Sequence, residues 1–272
     1  MKKLDLSKLD EIKYKHFDYC SKLPEVQNLC ETDKKLLFIE NPFADNMECN
    51  PIYQENFSNI NLISQYEKFR KYKKTIWNGV DLIKMLNINV CPYCGMNYFS
   101  AVKKKKNGEV VNVATLDHYL PKENNKMLAL NLYNLIPCCK NCNTTFKGTA
   151  VNPIINPYFL SVEENIKFKM NFYDISGTLA IDNTAKDNLN SITENHLNIL
   201  SLNERYNYFK SIVLSIYKKK LAWNETYITQ LSNFKEINLS KEQIKEMLLR
   251  QDLFNINEPF IKIKTDIWEQ LS

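Results

Sequence analysis

Glycine is scarce in this chain, five residues in 272, so the place of each one is informative. Gly95 follows a CxxC pair, Gly108 follows Asn107, Gly148 ends a candidate helix and Gly177 falls between two alternating segments. A positive φ is useful at each of these points. Gly79 has no such role and marks a break in the segment around it. Histidine is scarcer still, with His16, His118 and His196. Long apolar runs are missing. No stretch approaches the roughly 20 apolar residues of a membrane-crossing helix, which excludes one. The opening MKKLDLSKLDEIKYK lacks the apolar core of a secretory leader, so a cytoplasmic protein is expected. There is no internal repeat and no low-complexity linker.

What is present is a globular composition, 44% hydrophobic and 25% charged, in a chain long enough for one large domain or two modest ones. Isoleucine, asparagine and lysine are abundant, as an AT-rich genome makes them, so a single Asn or Lys says little. The net charge of +5 is unevenly spread: residues 68–106 hold ten Lys or Arg and one acid, Asp81, leaving the remainder net acidic. Nucleic-acid binders show this kind of asymmetry.

Proline and periodicity predict short helices and loops over 1–60, broken at Pro24, Pro42 and Pro51, then a helix over 61–87 with Leu62, Ile63, Tyr66, Phe69 and Tyr72 on one face. Alternation predicts a hairpin over 90–113 turning at Asn107-Gly108, and a short strand through Leu116-Asp117-His118. A loop from Pro121 to Tyr133 follows, then a strand over Asn134–Pro137 and a helix from Cys139 to Lys147. A second hairpin is expected over 165–182, turning at Asp174–Gly177. Helices follow from about 190 to 253, the longest over LNERYNYFKSIVLSIYKKKLAW. The expected class is α+β: an N-terminal helical region over 1–88, a core over 89–160, and a hairpin plus helical region over 161–272.

Eight cysteines suit metal-bound thiolates in a reducing compartment better than disulfides. Cys91-Pro-Tyr-Cys94-Gly and Cys139-Lys-Asn-Cys142-Asn have the spacing of a four-cysteine structural Zn²⁺ site, because two thiolates two residues apart can take two corners of a tetrahedron. Cys138 reads as a packed neighbour, and Cys20, Cys30 and Cys49 as ordinary buried or half-buried thiols. Between the pairs lies Leu116-Asp117-His118-Tyr-Leu-Pro121-Lys122. Consecutive strand residues point to opposite faces, so Asp117 and His118 share a site only if the strand twists or ends there, and Pro121 indicates an end. Asn143 falls on the first turn of the helix that the zinc pins, where it can stand opposite Asp117. A carboxylate and an amide oxygen are hard, sparse ligands that suit Mg²⁺ or Mn²⁺. His118 beside them is a natural general base, and such parts together attack a phosphodiester. His16 and His196 have no such setting and read as surface or packing residues. Lys103, Lys104, Lys105 and Lys106, with Arg70, Lys71, Lys73 and Lys74, read either as solvated surface or as phosphate grips.

The segment over roughly 91–148 resembles the HNH (ββα-metal) nucleases, through Asp117-His118, Asn134-Leu135 and Cys139-x-x-Cys142-Asn143. That resemblance implies a zinc-braced ββα-metal core in which His118 is the general base and Asp117 and Asn143 hold the catalytic divalent metal. Asn134 would brace the loop and orient His118. Lys122 and Lys147 join Lys103 to Lys106 as candidate nucleic-acid contacts, Lys147 at a position commonly basic in the family. The third signature residue is Asn rather than His, a variant that favours Mg²⁺. More widely, Asn152-Pro153, Asn156-Pro157 and Leu202-Asn203-Glu204-Arg205 resemble HNH proteins encoded beside ABC-type ATPases in bacterial anti-phage systems of the Septu and retron kind. The implied function is a metal-dependent endonuclease acting on nucleic acid, DNA ahead of RNA, in antiviral defence with an ATPase partner. A lone site of this type cuts one strand, so a double-strand break requires an oligomer, a partner or two nicks. Two other readings stand beside it: a non-catalytic zinc-ribbon nucleic-acid-binding module, and a structural subunit of an ATPase complex.

Overall fold

Polar caps and prolines cut the N-terminal segment into short helices: α1 (Leu9–Cys20), α2 (Glu31–Ile39), α3 (Pro51–Phe57), α4 (Ile63–Phe69) and α5 (Gly79–Met85). The computed structural model describes residues 4, 6–71, 76–98, 101–103, 110–112, 114–171, 178–234, 236, 238–249 and 258–271, with backbone alone at 101–103, 110–112 and 249. Asn50 accepts from the Ile52 N–H (3.2 Å) with Pro51 at the first helical position of α3, and Asn78 accepts from the Val80 N–H (3.0 Å) to start α5. Cys30, expected to be at least half buried, is exposed, and its sulfur accepts from the Asp33 N–H (3.4 Å) to cap α2.

The helix expected over 61–87 is instead the separate helices α4 and α5. Gly79 opens α5 at a close approach. A Cβ there would stand 2.8 Å from Leu116 Cδ1 and 3.4 Å from the Arg70 Cα, so α5 approaches both a strand and the end of α4 more closely than a side chain permits.

The strands form antiparallel pairs. β1 (Ala101–Lys103) pairs with β2 (Val110–Asn112), β3 (Ala114–His118) with β4 (Leu135–Cys139), and β5 (Ile166–Asn171) with β6 (Thr178–Asn183). In the middle pair Asp117 lies opposite Ile136 and His118 opposite Leu135. The turns expected at Asn107-Gly108 and Asp174–Gly177 lie outside the described residues. So do Lys73, Lys74, Lys104, Lys105 and Lys106, and the side chain of Lys103. Asn134 closes a 3₁₀ turn rather than opening β4. The helix expected from Cys139 begins later, as a π-helix over Asn141–Lys147, because Cys139 still pairs with Ala114 at the end of β4. Its wide winding is seen where the Gly148 N–H reaches the Asn143 carbonyl, five residues back (2.8 Å).

The C-terminal part carries α6 (Asp187–Ile199), α7 (Leu202–Asn207), α8 (Lys210–Ala222), α9 (Glu225–Ser232), α10 (Lys241–Leu249) and α11 (Ile261–Gln270). The longest expected helix is thus two, because the chain turns at Tyr208 and Phe209, where Phe209 packs on Phe260 at 4.6 Å between ring centroids. Along the β5 edge, Asp266 and Gln270 of α11 accept from the Phe168 (2.8 Å) and Met170 (2.9 Å) N–H groups, satisfying donors that an uncovered edge would expose. One cluster of buried side chains runs from Leu4 to Ile267. No described helix is long and apolar enough to cross a membrane.

His16 and His196 are fully buried. His16 Nε2 donates to the Leu130 carbonyl (2.7 Å) while Nδ1 accepts from the Trp77 indole (3.2 Å), which uses both nitrogens of a neutral ring. Burial pushes both histidines down to about 4 from the ordinary 6.5. Below pH 6.5 the unfolded chain therefore takes up protons that the fold refuses. Stability is expected to be full above that pH and to fall towards pH 4 by about 1.4 kcal/mol per pH unit per histidine. Denaturant unfolding at a series of pH values checks this. His16→Gln keeps the Nε2 donor and should flatten the dependence; an unchanged slope would refute the assignment.

Candidate functional site

The Cys91–Gly95 knuckle reverses tightly, the Gly95 N–H donating to the Cys91 carbonyl (2.8 Å), with Gly95 at φ 63°. It faces the end of β4 and the start of the π-helix. This brings Cys91, Cys94, Cys139 and Cys142 together, all buried, with their sulfurs within 4.8 Å of one another. Tetrahedral Zn–S bonds of about 2.3 Å require S···S separations of about 3.8 Å, so the cluster fits a zinc ion with small inward movement. Burial pushes the Cys91 thiol up, whereas contacts with Cys142, Cys91 and Cys94 hold Cys139 far below the usual thiol range. Cys138 is buried outside the cluster, against the Thr115 hydroxyl (3.8 Å).

Four thiolates around a divalent ion would leave the site net negative, and nearby donors would offset that charge. The Asn97 amide donates to Cys139 Sγ (3.3 Å), the Cys139 N–H to Cys91 Sγ (3.4 Å) and Arg205 to Cys142 Sγ (3.5 Å). Arg205 also lies over the Phe146 ring at 4.2 Å. Sequence reading placed Arg205 only within a wider likeness; its contact with the cluster arises from folding. Arg205→Ala is expected to weaken zinc affinity about 10- to 100-fold, as loss of an outer-shell donor does. Competition with a chromophoric chelator measures this, and an unaltered affinity would rule the role out.

The cluster fixes a second group of residues. β3 ends at His118, and the chain bends at Tyr119, so Asp117 and His118 line the same cavity of about 750 Å³ despite being adjacent. Thr115 and Asp117 share a strand face. Asn143 comes in on that side, its amide donating to Thr115 Oγ1 (3.0 Å) and to the Leu116 carbonyl (3.4 Å), and it too lines the cavity. Both contacts use the amide N–H groups, and no described hydrogen bond uses the amide oxygen.

Asp117 is buried and accepts from the Tyr93 hydroxyl (2.8 Å), while the Lys147 ammonium lies 3.1 Å from Oδ2 and also reaches the His118 carbonyl (2.7 Å). Burial pushes the Asp117 carboxyl up, and Lys147 and Tyr93 pull it back. His118 Nε2 sits 3.0 Å from the Ala129 carbonyl. A carbonyl oxygen only accepts, so Nε2 carries the proton and Nδ1 holds the lone pair. Burial pushes His118 down to about 4, which keeps the ring neutral near pH 7. The Tyr66 ring meets the imidazole edge-on at 4.2 Å, and its hydroxyl donates to the Leu116 carbonyl (3.0 Å).

Asn134 does not line this cavity. Its amide accepts from the Leu120 N–H (2.7 Å) and donates to the Leu120 (3.3 Å) and Leu128 (3.0 Å) carbonyls, tying together both ends of the loop that presents Ala129 to His118. Lys122 is half-buried and lines the cavity, whereas Lys147, also read as a nucleic-acid contact, is buried on Asp117 and is not among the lining residues. Tyr66, Glu67 and Thr115 are site residues that sequence reading did not single out. Tyr93 lay inside the CxxC pair, but nothing in its spacing shows that its hydroxyl meets Asp117.

The chain is 29% identical over 126 residues to Septu protein PtuB of Bacillus thuringiensis, a match covering 43% of this chain and 45% of that protein. It thus spans less than half the length of that relative. No protein-family profile matches the chain. No solved structure matches it.

Proposed function

We propose that the chain is a metal-dependent HNH endonuclease that hydrolyses nucleic-acid phosphodiester bonds, DNA ahead of RNA, inside the cell in antiviral defence alongside an ATPase partner. One observation carries the reading: Asp117, His118 and Asn143 reach a single cavity, with His118 held by Ala129 so that Nδ1 is the basic atom. The order β3, β4 and π-helix, braced by the cysteine cluster, supports a ββα-metal core. The identity to Septu protein PtuB supports the defence role and the ATPase partner.

Asp117 and the Asn143 amide oxygen are hard donors at one cavity wall and fit Mg²⁺ or Mn²⁺, which would share the Asp117 carboxylate with Lys147. When bound, such an ion supplies positive charge to the scissile phosphate and its leaving oxygen. The protein's own part is then definable. The neutral His118 ring takes a proton from water at Nδ1, the water oxygen bonds to phosphorus, and the sugar oxygen leaves with the P–O electron pair. Lys147 and Tyr93 fix Asp117 and offset the effect of its burial. Tyr66 and Asn134 hold the ring and its loop.

The test is cleavage of plasmid, single-stranded DNA and total RNA with Mg²⁺ or Mn²⁺, alone and with a co-purified ATPase. Wild type and His118→Ala are compared at equal zinc content. Loss of cleavage in the folded, zinc-loaded variant supports the reading. Equal cleavage, or none by wild type on any substrate with the partner present, overturns it.

A further inference from the structure

Tyr66 and Glu67 of α4, with Arg70 at its end, line the cavity. Glu67 holds two cations, Lys122 Nζ at 3.2 Å from one carboxylate oxygen and Arg70 Nε at 2.5 Å from the other. All three line the cavity that His118 and Asp117 reach. The Lys122 ammonium lies 5.0 Å from the centre of the Tyr66 ring, and that ring packs against His118. An anion held by Lys122 therefore sits one aromatic ring away from the candidate base.

A carboxylate that takes one cation on each oxygen presents what two oxygens of a phosphodiester would present. A polyanion entering this cavity meets Glu67 as a like charge already occupying the best cations on the wall. We propose that Lys122 and Arg70 form a subsite for a nucleic-acid backbone phosphate, and that Glu67 is its resident counter-ion, displaced when the phosphate binds. The proposal rests on the nucleic-acid reading above. It assigns Glu67 a restraining role: the protein binds more weakly than its positive wall alone would allow, and contact with substrate frees Glu67 at the cavity mouth. The side chains are partly exposed, 38% for Glu67 and 24% for Lys122. Ion pairs of this exposure add little to folding, so neutralising Glu67 leaves the fold intact.

The experiment measures dissociation constants of the zinc-loaded full chain for short DNA and RNA across a salt series, without added Mg²⁺ so that the ligand survives. Glu67→Gln is expected to bind about tenfold tighter at low salt, with a log–log salt slope steeper by about one counter-ion. Lys122→Ala and Arg70→Ala are expected to bind more weakly, each with a slope shallower by about one. Unfolding temperatures should match wild type for Glu67→Gln. If Glu67→Gln gains neither affinity nor slope while Lys122→Ala still loses both, the counter-ion role is overturned and the nuclease reading stands. If wild type binds neither DNA nor RNA, the nucleic-acid reading falls and the subsite falls with it.

Discussion

Replacing His118 by alanine is expected to lower the cleavage rate by on the order of 10²- to 10⁴-fold, the range a positioned general base contributes. The geometry singles out this histidine. All three have Nε2 against a backbone carbonyl, Leu130 for His16, Ala129 for His118 and Tyr93 for His196. His16 has committed Nδ1 to Trp77, and His196 is fully enclosed. His118 alone among the three lines the cavity with Asp117 and Asn143. Alanine also strands the Ala129 carbonyl and removes the edge contact with Tyr66, at a cost of about 1–3 kcal/mol in stability. His118→Gln separates the two effects: its amide can donate to Ala129 as Nε2 does, but it cannot take a proton at neutral pH. Both variants should lose cleavage to a similar extent, and His118→Gln should be the more stable. Near wild-type cleavage by His118→Gln would exclude the base, whatever its stability.

The parts legible in the sequence are those whose cause is local. Cysteine spacing announces the metal cluster because two thiolates two residues apart already have the required geometry. Short segments of β3 and β4 were legible, with Pro121 marking where the first ends, although both strands are buried along nearly their whole length and show no alternation. The parts that were not legible depend on contacts between distant segments. The close approach of α5 to β3 is made by Gly79 against Leu116, 37 positions later in the chain, and no pattern around Gly79 names that partner. Burial of His16 and His196 is decided by Leu130, Trp77 and Tyr93, each more than 50 positions away. The ion pair of Lys147 with Asp117 joins residues on different elements, so the family pattern could mark Lys147 as basic but not give its contact. Asparagine misled in the other direction. Its abundance made each one look incidental, yet Asn134 closes the loop behind the candidate base through three hydrogen bonds.

Removing zinc is expected to unfold the protein rather than merely silence it. The four sulfurs come from three segments: the knuckle supplies Cys91 and Cys94, the end of β4 supplies Cys139, and the π-helix supplies Cys142. Between the knuckle and β4 the described hydrogen bonds are single contacts, such as Cys139 N–H to Cys91 Sγ and the Asn97 amide to Cys139 Sγ, so a zinc ion held by the four sulfurs would be the strong link. The knuckle is also where the C-terminal helices attach. His196 bonds the Tyr93 carbonyl (2.9 Å), Tyr206 the Cys94 carbonyl (2.7 Å) and the Phe260 N–H the Gly95 carbonyl (2.7 Å). Three consecutive carbonyls are thus held from α6, from α7 and from the start of α11, while the Tyr93 hydroxyl holds Asp117 from the same turn. Losing the metal leaves four buried thiols in mutual contact and frees the turn that both the C-terminal region and Asp117 depend on. Structural zinc contributes about 10–16 kcal/mol in small zinc-binding peptides, as large as the roughly 5–15 kcal/mol that stabilises a whole domain. A chelator should therefore abolish the cooperative thermal transition, and zinc with a thiol reductant should restore it with one metal ion per chain. Cys142→Ser should reproduce the loss, because Cys142 alone ties the π-helix, and with it Asn143 and Lys147, to the cluster. A metal-free protein that keeps its unfolding temperature and its Tyr93–Asp117 contact would show that the core holds itself together and that the cysteines serve another purpose.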